Sequence, residues 1–109
     1  MDAARREANE EAGIPLTSRF LALDSMCCVR ADIFRAWKDW PAGTFVVKEL
    51  AFSVEVLGSE IRLSHEHTDF QWCSYDDAVR LLKWDSNKTA LWELRQRLSG
   101  LIPRTIFEP

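Results

Sequence analysis

Glu7, Glu10 and Glu11 stand at positions i, i+3 and i+4 of a run that ends in Gly13-Ile14. On an α-helix that spacing puts all three carboxylates on one face. Ala3, Ala4, Ala8 and Ala12 supply a small apolar surface on the same helix, and Gly13 suits the left-handed residue that ends it. Crowding acids into the last turns is unfavourable twice over. Like charges at i, i+4 cost about 0.2–0.5 kcal/mol, and anions sit badly at the negative end of the helix dipole. A hard divalent cation reverses both effects. Without one, the run reads as an exposed, solvated, acidic helix.

The chain has 109 residues, enough for one domain with a modest core. Its hydrophobic share of 47% and charged share of 28% fit an ordinary globular composition. A formal net charge of −3 with no basic stripe argues against general binding of nucleic acid or an anionic membrane. No apolar run approaches the roughly 20 residues that span a bilayer. The first residues lead into a charged helix instead of the apolar core of a signal peptide, so the cytoplasm is the expected location. Cys27, Cys28 and Cys73 form no C-x-x-C pair. They read as three reduced thiols, at least one of them in the core.

After Pro15, residues Thr17 to Leu23 read as a strand, and Asp24-Ser25 breaks the apolar run. From Met26 to Pro41 the pattern assigns no regular element: Cys27, Val29 and Ile33 are apolar, and Trp37-Lys38-Asp39-Trp40-Pro41 looks like an irregular, aromatic-rich loop. Within it Trp37 and Trp40 can stack on a planar ring, or simply pack beneath the loop. Thr44 to Lys48 is β-branched and aromatic. Phe52, Val54 and Val56 alternate with Ser53 and Glu55, as in a half-buried strand. With a turn at Leu57-Gly58-Ser59-Glu60 and alternation again over Ile61 to Ser64, the pattern predicts an antiparallel hairpin. Glu49 lies between the apolar runs. It can point into a site, but a solvated residue at a bulge or strand end is the preferred reading.

His65-Glu66-His67 lacks the spacing of a zinc site. Glu66 differs from its neighbours, because a carboxylate on a loop can reach across to the glutamate helix as an oxygen ligand. Ser74 is placed to cap a helix, with Asp77 as its partner, so Asp76 and Asp77 need no catalytic role. Trp84-Asp85-Ser86-Asn87 interrupts this helix. A last helix is expected from about Lys88 to Leu98, with Leu91, Leu94 and Leu98 on one face and Gly100 as its stop. Trp92 is expected in the core. The order of elements, a glutamate helix, then strands, then two helices, suits an α+β layer arrangement.

The run Arg6-Glu7-Ala8-Asn9-Glu10-Glu11-Ala12-Gly13-Ile14 resembles the second half of the Nudix box, G-x5-E-x7-R-E-U-x-E-E-x-G-U, with Ala8 a small occupant of an apolar position. Leu63-Ser64-His65-Glu66-His67, Phe70-Gln71-Trp72 and Trp84-Asp85-Ser86-Asn87-Lys88-Thr89-Ala90-Leu91 are similar to stretches of the bacterial branch known as dATP pyrophosphohydrolases or dihydroneopterin triphosphate diphosphatases. The resemblance covers almost the whole chain and is weakest from Met26 to Gly43. It implies an α+β fold, a Nudix-type α/β/α sandwich with a mixed sheet, lacking its N-terminal strands. Residues 1–109 would then be a single partial domain, with the half box at 6–14. Its open sheet edges imply either a homodimer that covers them or, equally, a truncated reading frame or fragment.

The resemblance also implies a chemistry. Glu7, Glu10, Glu11 and Glu66 would hold Mg²⁺, or Mn²⁺. One of Glu7, Glu10, Glu11 or Glu66 would act as the base, with Glu10 and Glu66 the catalytic candidates, and Arg6 would orient a glutamate. Trp37, Trp84, Asn87 and Lys88 would face the substrate, a nucleotide or pterin triphosphate, although Trp84 can equally pack in the core and Asn87 and Lys88 can equally cap the last helix. Three function classes follow. The first is an active pyrophosphohydrolase. The second is a catalytically impaired nucleotide-binding or accessory remnant, since the G-x5-E half of the box has no counterpart after Met1. The third is an interaction domain with no nucleotide site, whose thermal stability would ignore Mg²⁺ and nucleotide.

Overall fold

The computed structural model describes residues 1–58, 61–64 and 69–100. The elements run α1 (Asp2–Ala12), β1 (Phe20–Arg30), β2 (Val46–Val54), α2 (Tyr75–Leu81) and α3 (Asp85–Ser99), with short 3₁₀ turns at Ala31–Ile33 and Arg35–Asp39. The class is α+β as the sequence implies. Among the described residues the sheet is two-stranded and antiparallel, not mixed.

Helix α1 stops where its sequence says it should. Gly13 sits at φ 70°, ψ 20°. Its N–H donates to the Asn9 carbonyl at 3.0 Å, and the Ile14 N–H reaches back to the Ala8 carbonyl at 3.3 Å. A β-carbon on Gly13 would also lie 3.2 Å from Cβ of Arg62. Gly13→Ala therefore combines a left-handed backbone cost of roughly 1–2 kcal/mol with a steric one. We expect it to lower the unfolding free energy by an amount of that order, read from urea titrations followed by circular dichroism.

The hairpin differs from expectation. Strand β2 pairs with β1, not with residues 61–64. That segment instead serves the end of α1: the Arg62 N–H donates to the Ala12 carbonyl and the Ser64 N–H to the Glu11 carbonyl, both at 3.0 Å. The last carbonyls of a helix have no partner within it. An extended segment running past them satisfies two at once, an outcome that alternation alone cannot distinguish from strand pairing.

Nor does β1 end at Asp24-Ser25. Ala22 pairs with Phe52 and Met26 with Leu50, so four steps along β1 match two along β2 and the extra residues bulge. The strand then continues to Arg30, through residues whose pattern assigned no regular element. Past the bulge, Cys27 faces Glu49 and Val29 faces Val47 on one side of the sheet. Met26, Leu50 and Val46 occupy the other, where each is more than half exposed.

The buried apolar residues among those described are Ile14 and Ala31. Trp92, expected in the core, is half-exposed at 42%, and Leu98 is exposed. Cys27 is half-buried while Cys28 and Cys73 are exposed, so no thiol enters the core. Helix α3 begins at Asp85, with Trp84 at the N-cap. The Trp84-to-Asn87 stretch thus opens this helix instead of interrupting the previous one. Ser74 caps α2 as expected, its hydroxyl accepting from the Asp77 N–H at 3.2 Å.

Candidate active site

The glutamate face of α1 is held in place by two side chains for which the sequence predicts no role. Arg5 donates to the carbonyls of Leu16 at 3.1 Å and Ser18 at 2.7 Å. Its guanidinium also lies 4.8 Å from the centre of the Phe20 ring. Asn9 donates to the Ile14 carbonyl at 3.0 Å. These bonds tie the helix to the loop that follows it and to the first residue of β1. Arg6, one residue away, is exposed. Arg5→Ala should cost on the order of 1–2 kcal/mol, because it removes a cation–π contact and hydrogen bonds from a charged donor. Hydrogen exchange should quicken over residues 13–18 before it changes in α3.

Glu7 and Glu10 project from α1 into solvent, and Glu11 is half-buried. Their oxygens are the hard donors that Mg²⁺ and Mn²⁺ take, so the set fits such an ion in kind. Among the described residues no three acid, histidine or cysteine side chains are grouped to hold a metal. Glu66, the remaining expected ligand, lies outside the described residues, as do His65 and His67. A cavity of about 640 Å³ opens at the C-terminal end of α1, where Gly13, Arg19, Glu55 and Arg62 line it. The three glutamates do not.

The expected substrate residues fall on two other elements. Trp37 lies in a 3₁₀ turn, its indole N–H donating to the Thr44 carbonyl at 2.7 Å, with 43% of the residue exposed. That bond fixes the ring at the surface instead of under the loop. Trp84, Asn87 and Lys88 gather at the start of α3. Trp84 is 61% exposed, which removes the core-packing alternative for it, and the Lys83 ammonium sits 4.8 Å from its ring centre. The Asn87 and Lys88 N–H groups both point to the Trp84 carbonyl. Lys88 lines a shallow recess with Asp85, Thr89 and Trp92.

Helix α3 is fastened to the sheet by Glu93. Its carboxylate accepts from the N–H of Asp24 at 2.7 Å, the N–H of Ser25 at 2.8 Å and the Ser25 hydroxyl at 2.5 Å. Arg97 donates to it from one turn on and also pairs with Asp24 at 3.0 Å. Partial burial alone would raise the Glu93 pKa, but these hydrogen bonds outweigh it and hold the carboxyl at about 2. The i, i+4 spacing of Glu93 and Arg97 was readable as a helix-surface pair. Its use as a clamp on a bulge was not.

Near this clamp, on the same face of the sheet, Cys27 donates to Glu49 at 3.4 Å. Partial burial and then the Glu49 hydrogen bond push the thiol up, with Ser86 opposing. Ser86, Asn87 and Ala90 of α3 close a recess of about 50 Å³ over this pair.

An acid-faced helix stopped by glycine, beside a short antiparallel sheet and two further helices, defines an α+β protein whose carboxylates suit a cation. A family profile described as the NUDIX domain matches residues 1–93. The chain belongs to the NUDIX family. It is similar in structure to a Listeria monocytogenes protein described as a NUDIX hydrolase, with a TM-score of 0.74 and 33% identity. That similarity covers 89% of this chain and 64% of the Listeria chain, so the chain spans somewhat less than two thirds of its relative. No curated protein matches the chain significantly.

Proposed function

We propose that the chain is a Mg²⁺-dependent pyrophosphohydrolase acting on a (deoxy)nucleoside triphosphate such as dATP, or on dihydroneopterin triphosphate. The observation that carries this reading is α1 itself, with Glu7, Glu10 and Glu11 at i, i+3 and i+4 and a left-handed Gly13 stop, inside the NUDIX match. Glu7, Glu10 and Glu11, joined by Glu66, would hold Mg²⁺ or Mn²⁺. When bound, such an ion neutralises charge along the phosphate chain.

Each of the chain's own residues then has a task. Glu10 or Glu66 accepts the proton of the attacking water. The water oxygen bonds to the α-phosphorus, the bridging bond to the β-phosphate breaks, and a monophosphate and pyrophosphate leave. Arg6 offers a cation beside the glutamate face. Trp37 and Trp84 present exposed ring faces for stacking, and Lys88 and Asn87 supply polar contacts at the start of α3.

The test is pyrophosphate release from a panel of ribonucleoside and deoxynucleoside triphosphates and dihydroneopterin triphosphate, with and without Mg²⁺. Turnover that requires the metal supports the reading. Folded protein that binds a triphosphate without turning it over would make the chain an accessory or impaired member of the family. Folded protein that neither binds nor hydrolyses any of the panel would leave an interaction domain.

A further inference from the structure

The recess between the sheet and the start of α3 joins three elements: Cys27 on β1, Glu49 directly opposite on β2, and Ser86 with Asn87 in the first turn of α3. At about 50 Å³ it exceeds the roughly 30 Å³ that one water occupies in the liquid. A ring cannot enter, but the edge of one can. Ala51 and Ala90 also line the recess and give it an apolar margin.

The chemistry of the lining is selective. An ionised Glu49 only accepts hydrogen bonds, through two oxygens with about four lone-pair positions. Its structural donor here is a thiol, a weak one. Asn87 contributes an amide that both donates and accepts. The complement of a carboxylate acceptor flanked by an amide is an organic edge that carries hydrogen-bond donors. A ring N–H beside an exocyclic amino group offers two parallel donors to one carboxylate, the same forked match that arginine makes. Adenine instead presents one amino donor beside a ring-nitrogen lone pair, which would face a carboxylate oxygen.

We propose that Glu49, with Asn87 beside it, is a specificity site that reads the 2-amino-4-oxopyrimidine edge shared by pterin and guanine rings. This rests on the pyrophosphohydrolase reading for the triphosphate and narrows its substrates to the guanine and pterin members in place of dATP, but the ring contact is separable from the phosphate chemistry. Glu93 contributes at one remove, as a positioning residue that clamps α3 over the sheet and thereby sets Ser86 and Asn87 against Cys27.

The experiment measures binding and turnover in the full chain. Guanosine and neopterin, which lack phosphates, are titrated against adenosine, and the corresponding triphosphates are compared in hydrolysis. The wild-type chain is expected to bind guanosine or neopterin at least tenfold more tightly than adenosine, and the two arms show which ring is preferred. Glu49→Gln replaces one acceptor by a donor at constant size and should erase that preference while the circular dichroism melt stays unchanged. Asn87→Ala should reduce the preference less. Equal binding of all three rings, a preference for adenosine, or a Glu49→Gln variant as selective as the wild type overturns the proposal. Selective ring binding without hydrolysis sinks the enzymatic reading alone, whereas metal-dependent hydrolysis without ring preference sinks this one alone.

Discussion

Glu10→Gln is expected to abolish metal-dependent pyrophosphate release, by about a thousandfold, while leaving the fold intact or slightly more stable. The two halves of that result have separate causes. Loss of a group that accepts a proton in the reaction is worth about 10²–10⁴ in rate, and loss of an anionic ligand weakens the cation's hold. Stability moves the other way. Gln and Glu are nearly equal as helix formers. The substitution removes a negative charge from the C-terminal part of α1, beside Glu7 at i−3 and Glu11. Relief of one like-charge pair is worth about 0.2–0.5 kcal/mol, and neutralisation near the negative end of the dipole adds to it. Opposite signs for activity and stability distinguish a chemical role from a structural one. Added Mg²⁺ with a triphosphate should raise the melting temperature of the wild-type chain by mass action and that of the variant far less. Retained turnover in Glu10→Gln would remove this residue from the mechanism, and parallel loss of turnover and melting temperature would mean that it holds α1 together.

The second large effect falls on stability. Glu93→Ala should destabilise the chain by on the order of 2–3 kcal/mol, because a single carboxylate serves two backbone N–H groups, a hydroxyl and a guanidinium. Hydrogen bonds to a charged acceptor contribute about 1.5–3 kcal/mol each where they are sheltered. The side chain is 15% exposed, so water replaces part of what the variant loses. The bulge makes these bonds necessary: Asp24 and Ser25 lie in the segment where β1 and β2 lose register.

A pH dependence follows with a definite sign. The folded pKa of about 2 lies below the ordinary value of 4.5. The stabilisation is therefore complete above pH 4.5 and drains away as pH falls towards 2. Urea midpoints between pH 6 and pH 3 should fall for the wild-type chain and fall less for Glu93→Gln, which carries no titrating group. Equal slopes for the two would show that the clamp does not form in solution.

Much of the local structure was legible beforehand. Gly13 and Gly100 end their helices in the left-handed conformation, and Ser74 caps α2, because each interaction is made within a few residues of chain. Local rules failed where a distant group changed the outcome. Asp24-Ser25 breaks the apolar pattern as a loop would, but Glu93, far along the chain, supplies the missing acceptor and the strand continues. Residues 61–64 alternate as a strand would, and the carbonyls of Ala12 and Glu11 capture them first. Trp92 looks like core and remains half-exposed, since hydrophobicity alone does not say which face another element will cover.

The candidate site divides in the same way. Sequence by itself determined the acid face of α1, its glycine stop and the family, because the spacing of Glu7, Glu10 and Glu11 becomes geometry as soon as the helix forms. Only the tertiary structure decided that Arg5, not Arg6, anchors that helix to β1. It alone brought Glu49, Cys27, Ser86 and Asn87 to one recess and made Glu93 the clamp between α3 and the sheet. Helical periodicity is set by the backbone within one turn, whereas contacts across tens of residues depend on register, bulge and packing, which no single stretch of the chain encodes.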